Sequence, residues 1–291
     1  MNDVPYEFID RVFTKLNIAD IKTIALEAPV WKEVKRVYKE KYLSLRVNLY
    51  LPNADHNFKY EISKETDLPM WFTQGSQFTL DEALKLDTRF NRVNQFHICK
   101  RNSHEFWIDL DVERIPDLLD YASHFNLTTL VLHHSSQSPT DFETQLAARE
   151  FRTTTLNMDY FLRGNQFLKK QLQNAELQTL ITRDLSYYSA DLMDDLQTFV
   201  CRPRFQRLHS EFPCFTINHL ELIVSNWKTL PVPWSDAQIT FPCDKTLADD
   251  LEFVFGPSKN IYSRGKVVGQ QFVVNNGCIY IWNRRVVIVR V

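Results

Sequence analysis

The chain has 291 residues, a formal net charge of −2, 44% hydrophobic and 13% aromatic residues. That is enough apolar material for one elongated domain or two compact ones and excludes a disordered chain, while the near-neutral charge gives no global pull toward nucleic acid or anionic membrane. Six glycines are too few for phosphate loops to be common, and 21 phenylalanines suggest a core of stacked rings. The five cysteines, at 99, 201, 214, 243 and 278, are odd in number and contain no Cys-x-x-Cys pair, which predicts reduced thiols and an intracellular, cytoplasmic or nuclear chain. No signal-peptide pattern opens the sequence, and no apolar run approaches the roughly 18 residues of a membrane span.

Residues 1–42 read as a helical module. Pro5 suits a first helical turn, with Asp3 placed as cap, and Phe8, Ile9, Val12, Phe13 and Leu16 follow as a wide apolar stripe. Asp20 is placed to cap a second helix carrying Ile21, Ile24, Ala25 and Ala28. Pro29 ends or restarts it ahead of Trp31, Val34 and Tyr38. So short a unit cannot bury that many large side chains alone, so some of the surface needs a partner.

These residues resemble an F-box: Val4-Pro5 for the Leu-Pro-like start, Phe8-Ile9 and Val12-Phe13 as paired bulky residues, Leu16, Asp20-Ile21 and the closing Trp31. Val4 stands where Leu is usual, and Ala28-Pro29-Val30 departs from the residues that commonly precede the Trp. The resemblance implies a surface that docks the Skp adaptor, and through it a cullin-RING ubiquitin ligase, with Pro5, Phe8, Ile9, Val12, Phe13, Leu16, Ile21 and Trp31 as adaptor-binding residues. The rest of the chain would select a protein substrate. The competing expectation is an ordinary helical hairpin that caps its own domain.

Residues 43–111 form a β-containing connector: a strand over Leu45 to Tyr50, a partner around Phe58 to Ile62 across a turn, then Gln95 to Ile98 and Glu105 to Leu110. Residues 112–291 carry repeats. After a helix through Ile115, Leu118, Leu119 and Ala122, strands centred on Leu130, Leu156, Leu180 and Leu208 recur at intervals of 26, 24 and 28 residues, with a helical pattern in each gap. A helix over Ile217 to Trp227 and a strand over Ala237 to Phe241 follow, and residues 270–291 read as a three-stranded meander with an Asn-Asn-Gly turn. The fold class is α/β: short F-box-like helices, then an irregular leucine-rich-repeat-like solenoid, then an antiparallel meander able to cover its open edge. An ordinary layered α/β domain is the alternative. The overall layout is similar to that of diverged nematode F-box families.

Candidate chemistry is sparse. His97, Cys99 and His104 contain zinc-ligand atoms at a spacing that matches no common finger, and His133-His134 point to opposite sides of an extended chain. Asp109, Asp111 and Glu113 are more simply read as complementing a helix dipole, and Lys32, Lys35, Arg36, Lys39 and Lys41 as the wet face of a helix whose aromatic residues are buried. No nucleophile elbow, phosphate loop, dinucleotide fingerprint or zincin helix is present. The sequence therefore predicts no enzyme, no cofactor, no metal, no nucleic-acid or membrane partner, and a protein-binding role.

Overall fold

The structure is a computed structural model and describes residues 4–14, 16, 21, 23–25, 28–51, 57–65, 77–100, 107–133, 140–159, 164–183, 191–211, 215–229, 237–242, 245–263, 266–274, 277–282 and 285–290. Its centre is one large mixed sheet. In chain order the elements are α1 (Tyr6–Phe13), α2 (Pro29–Lys41), β1 (Leu43–Leu51), β2 (Phe58–Lys64), β3 (Gln77–Phe78), α3 (Leu80–Leu84), β4 (Asn91–Lys100) and β5 (Ile108–Leu110). A single 3₁₀ turn leads into α4 (Ile115–Ser123), followed by β6 (Asn126–Leu132), α5 (Thr140–Ala148), β7 (Arg152–Met158), α6 (Gly164–Gln173) and β8 (Thr179–Thr182). Then come α7 (Asp191–Val200), β9 (Arg207–Ser210), α8 (Ile217–Thr229), β10 (Gln238–Pro242), α9 (Lys245–Phe255), β11 (Lys259–Ser263), β12 (Lys266–Val274), β13 (Gly277–Trp282) and β14 (Arg285–Arg290).

Strands β1, β4, β6, β7, β8, β9 and β10 are parallel neighbours in that order. From β6 to β10 the spatial order repeats the chain order, each step bridged by one helix. Crossovers of a single hand that always advance in the same direction leave every helix on the same face. Successive helices α5 to α9 accordingly pack side by side.

The spacing of the repeat leucines sets the register. Leu130 pairs with Leu156, Leu156 with Leu180 and Leu180 with Leu208. The same rung runs outward on one side through Phe96 and Val47 to Ile62, and on the other through Ile239, Ile288 and Ile279 to Phe272. No member of this row is more than 1% exposed. A one-residue slip in any strand would turn its member of the row to the opposite face, so burial on one side fixes the pairing.

A second device ties each unit to the one before it. The last carbonyls of a helix have no partner within the helix and collect partial negative charge. Here the following unit supplies the donor: Lys170 Nζ donates to the Ala147 carbonyl at the end of α5 (2.7 Å), Arg202 donates to the Leu172 and Asn174 carbonyls at the end of α6, and Trp227 Nε1 donates to the Val200 carbonyl at the end of α7 (2.9 Å).

The flanks extend what the sequence suggests. The connector strand and its partner pair antiparallel as β1 and β2, with Leu45 opposite Lys64 and Tyr50 opposite Lys59, and β5 adds to the far side of β2. At the other end β14 pairs antiparallel with β10, so the meander does cover the last parallel strand, but it has four strands: β11 precedes the three expected ones. Residues 275–276, 283–284 and 291 of the expected turns and strand lie outside the described residues, as do Asp3, Asp20, His104, His134, Cys214 and Cys243. Pro29 restarts a helix rather than only ending one, occupying the first position of α2, where its missing N–H is harmless.

Candidate functional site

Two surfaces stand out, one on the N-terminal helices and one on the sheet. In α1, Ile9 and Phe13 are fully buried and form, with Ile21, Val34 and Tyr38, a small core separate from that of the sheet. Phe13 packs on Tyr38 at 5.3 Å and on Trp31 at 6.3 Å between ring centroids. The Tyr38 hydroxyl donates to Asp10, whose Oδ1 is 2.9 Å away. Burial, then that hydrogen bond and charge, push the Tyr38 phenol well above its usual range, so it remains a donor at every physiological pH.

The module is also attached to the sheet. Phe90, just before β4, packs tilted against Tyr38 at 5.0 Å between ring centroids, and Arg92 donates to the Phe13 and Thr14 carbonyls at the end of α1, neutralising the negative end of the helix. The eight residues expected to meet an adaptor therefore divide. Ile9, Phe13 and Ile21 have no exposed surface and hold the module together; Leu16 and Trp31 are partly buried against them. Pro5 and Phe8 are exposed, Phe8 by 55%, and Val12 is half-buried. Positions 5, 8 and 12 follow an i, i+3, i+7 spacing, which places them on one flank of the helix beside its buried stripe. Tyr6, which the sequence reading passed over, is half exposed on the opposite flank, as the same geometry dictates.

The second surface is the sheet face turned away from the buried leucine row. There the positions on either side of each rung form two ladders, one polar throughout (Arg46, Gln95, Thr129, Thr155, Thr179, Arg207 and Gln238) and one polar but for Val131 and Ile181 (Asn48, His97, Val131, Asn157, Ile181, His209 and Thr240). Most are only half-buried, so among the described residues no packed layer covers them as one covers the opposite face. At the strand ends His133 Nδ1 lies 3.0 Å from Asp159 Oδ2, and Arg183 lies 3.7 Å from the other oxygen of that carboxylate. His97 and Cys99 both point to this face from β4. Burial, then the Arg46 charge, pulls the His97 pKa down to about 4, and burial pushes the Cys99 thiol up to about 11, leaving both neutral near pH 7.

Among the described residues no three His, Cys, Asp or Glu side chains are grouped to hold a metal. Cys99, Cys201 and Cys278 are free thiols. Asp109 instead pairs with Lys59 at 3.3 Å across the β2–β5 contact. In the basic stretch Arg36 bridges Glu33 and Glu40 along α2, both pairs being exposed. Among the described residues no helix is long and apolar enough to cross a membrane.

No protein-family model and no curated protein matches the chain. Among solved structures, it is similar to the MycE methyltransferase of the mycinamycin biosynthetic pathway, solved with Mg, SAH and mycinamycin VI, at 8% identity over 99% of this chain and 93% of that one. The TM-score is 0.22, a likeness too slight to define a shared architecture.

Proposed function

We propose that this chain is a substrate-recognition subunit of an SCF-type cullin-RING ubiquitin ligase, docking the Skp adaptor through its N-terminal helices and a protein substrate through the open face of the sheet. The observation that carries this reading is the exposed flank of α1. Beside the buried stripe of Ile9 and Phe13, the helix and its N-cap present Pro5, Phe8 and Val12, three of the residues that the F-box resemblance marks for the adaptor. Leaving a Phe half in water forgoes roughly 1 to 2 kcal/mol of burial, which a docked partner recovers. The parallel strands laid down in chain order, with helices on one side, support an irregular leucine-rich-repeat-like solenoid, an architecture whose free face suits a long protein ligand. Catalysis of ubiquitin transfer then belongs to other subunits, and this chain contributes proximity.

The test is co-precipitation of the full-length chain with the Skp adaptor. Phe8→Asp combined with Pro5→Ala should abolish capture while the far-ultraviolet circular dichroism stays that of the wild type. Undiminished capture by this folded variant rejects the assigned surface.

A second reading has its own support. The Arg92 bonds to α1 and the Phe90–Tyr38 contact tie the helices to the start of β4, so that they are attached to the sheet as helices that merely cap a non-enzymatic α/β-repeat scaffold would be. Deleting residues 1–42 separates the two: an unchanged cooperative melt favours a docking module, and collapse of the sheet signal favours a cap.

A further inference from the structure

His209 on β9 and Thr240 on β10 face each other in register, and Thr240 in turn pairs with Val287 on β14. Arg285 is two residues before Val287 and so shares its side of the sheet. All three side chains thus meet on the open face, where the parallel stack gives way to the meander. One Arg285 amino group donates to the Ser210 carbonyl at 2.8 Å and lies 3.4 Å from His209 Nε2. A guanidinium has only donors to offer, so Nε2 is the acceptor and the imidazole proton sits on Nδ1. His209 Nδ1, Arg285 Nε and the Thr240 hydroxyl are sealed from solvent, and none has a hydrogen-bond partner among the described residues.

A buried donor without an acceptor is costly, and three of them on the adjoining strands β9, β10 and β14 ask for a ligand rich in acceptors. Charge points the same way. Burial lowers the His209 pKa, and the Arg285 and Arg207 charges lower it further; Arg207 lies two residues before His209 on the same face, while Glu211 opposes them. The local potential is positive and the imidazole stays neutral.

We infer that this junction is an anion-receiving pocket in the substrate-binding face, taking a single carboxylate or phosphoryl group of a bound peptide between His209, Thr240 and Arg285, with Arg207 at its rim. The inference rests on the proposed role as a substrate receptor. Arg285 keeps its bond to the Ser210 carbonyl and gives up only its long contact to the histidine to admit the group, whose oxygens accept from the guanidinium, from the Thr240 hydroxyl and from His209 Nε2 once that nitrogen is protonated. One discrete anionic group fits better than a polyanion, because Glu211 and Asp159 occupy the strand ends of the same face and would repel a nucleic-acid backbone. A bound anion favours the charged imidazole, so binding takes up a proton and tightens as pH falls.

The experiment is an NMR titration of the full-length protein with inorganic phosphate, and separately with acetate, at constant ionic strength. The His209 ring signals are assigned by their loss in His209→Gln. Phosphate should move those signals saturably and raise the pH midpoint of the ring by about one unit. Arg285→Gln should abolish the effect, and the exposed Arg207→Gln should weaken it about fivefold or more. Arg36→Gln, on a distant helix, should change nothing. Saturation by both anions assigns the pocket to carboxylate or phosphoryl groups alike, and saturation by phosphate alone assigns it to phosphoryl groups. No saturable shift, or one that survives both Arg207→Gln and Arg285→Gln, overturns the pocket; if Arg285→Gln does not fold, Arg207→Gln decides. An oligothymidylate that saturates the site at lower concentration than phosphate overturns the peptide assignment. Because the adaptor takes no part, a silent titration with intact adaptor capture removes the pocket and leaves the receptor reading standing.

Discussion

Leu180→Ala followed by Ile181→Ala tests the organisation of the sheet with two adjacent residues. Leu180 is fully buried at the middle of the aligned row, between Leu156 and Leu208, whereas Ile181 points to the open face and keeps part of its surface in water. Truncating a sealed leucine removes about 2 kcal/mol of transfer free energy and adds the cost of the cavity, because paired strands on both sides keep the space from collapsing. The total is about 3 to 5 kcal/mol, the upper part of the range for such changes. Ile181→Ala removes a side chain already in contact with water and leaves no closed cavity, so about 1 kcal/mol is expected. Urea unfolding followed by circular dichroism at 222 nm reads both, with stability taken from the midpoint at an unchanged slope. If the two variants lose equal stability, or Ile181→Ala loses more, the assignment of the leucine row to the covered face is wrong.

Three further outcomes follow from named groups. His97 has its pKa held down at about 4, below the ordinary value of 6.5, so the unfolded chain binds a proton first as pH falls. Stability contributed by the neutral ring is complete above pH 6.5 and is lost between there and pH 4, by about 3 kcal/mol, and His97→Gln should flatten that part of a stability–pH curve. Thr182 is fully buried with an unpartnered hydroxyl, so Thr182→Val, of nearly the same shape, should raise stability by about 1 kcal/mol in the same urea assay; a loss of that size would show that the hydroxyl has a partner. Arg202→Met keeps the aliphatic stem but strips the donors from the end of α6, and about 1.5 to 3 kcal/mol should be lost, with faster amide exchange over residues 170–173 than over α4.

Much of the sheet was legible because leucine spacing and strand period are local signals. Leu130, Leu156, Leu180 and Leu208 mark four strands that pair in register, and the two strands expected around residues 275–277 pair antiparallel as β12 and β13. The elements missed are short or weakly patterned. α3 is announced by a Thr79–Glu82 capping box, a signal that could have been read, whereas β3 has two residues and no periodicity. β11 is missed because an edge strand that buries little needs no alternation of apolar residues. α9 keeps Leu247 and Leu251 inside but leaves Phe253 exposed, which blurs its stripe.

At the N-terminus the sequence identified the apolar residues but not their division of labour. Which of Phe8 and Ile9 meets water depends on where α2 lies, and that is set by Tyr38, Phe90 and Arg92, far along the chain. The donor cluster at His209 was illegible for a similar reason, because its members come from β9, β10 and β14 and only the fold brings them together.

Ile9 and Phe13 on the inner flank of α1 are core, and the outer flank is the proposed interface. Co-precipitation with the Skp adaptor, run on Phe8→Asp beside the folded wild type, addresses it most directly. The wild type should capture the adaptor, and Phe8→Asp should lose that capture without losing the cooperative melt. Capture that survives an aspartate at position 8, or a wild-type chain that captures no adaptor, contradicts it.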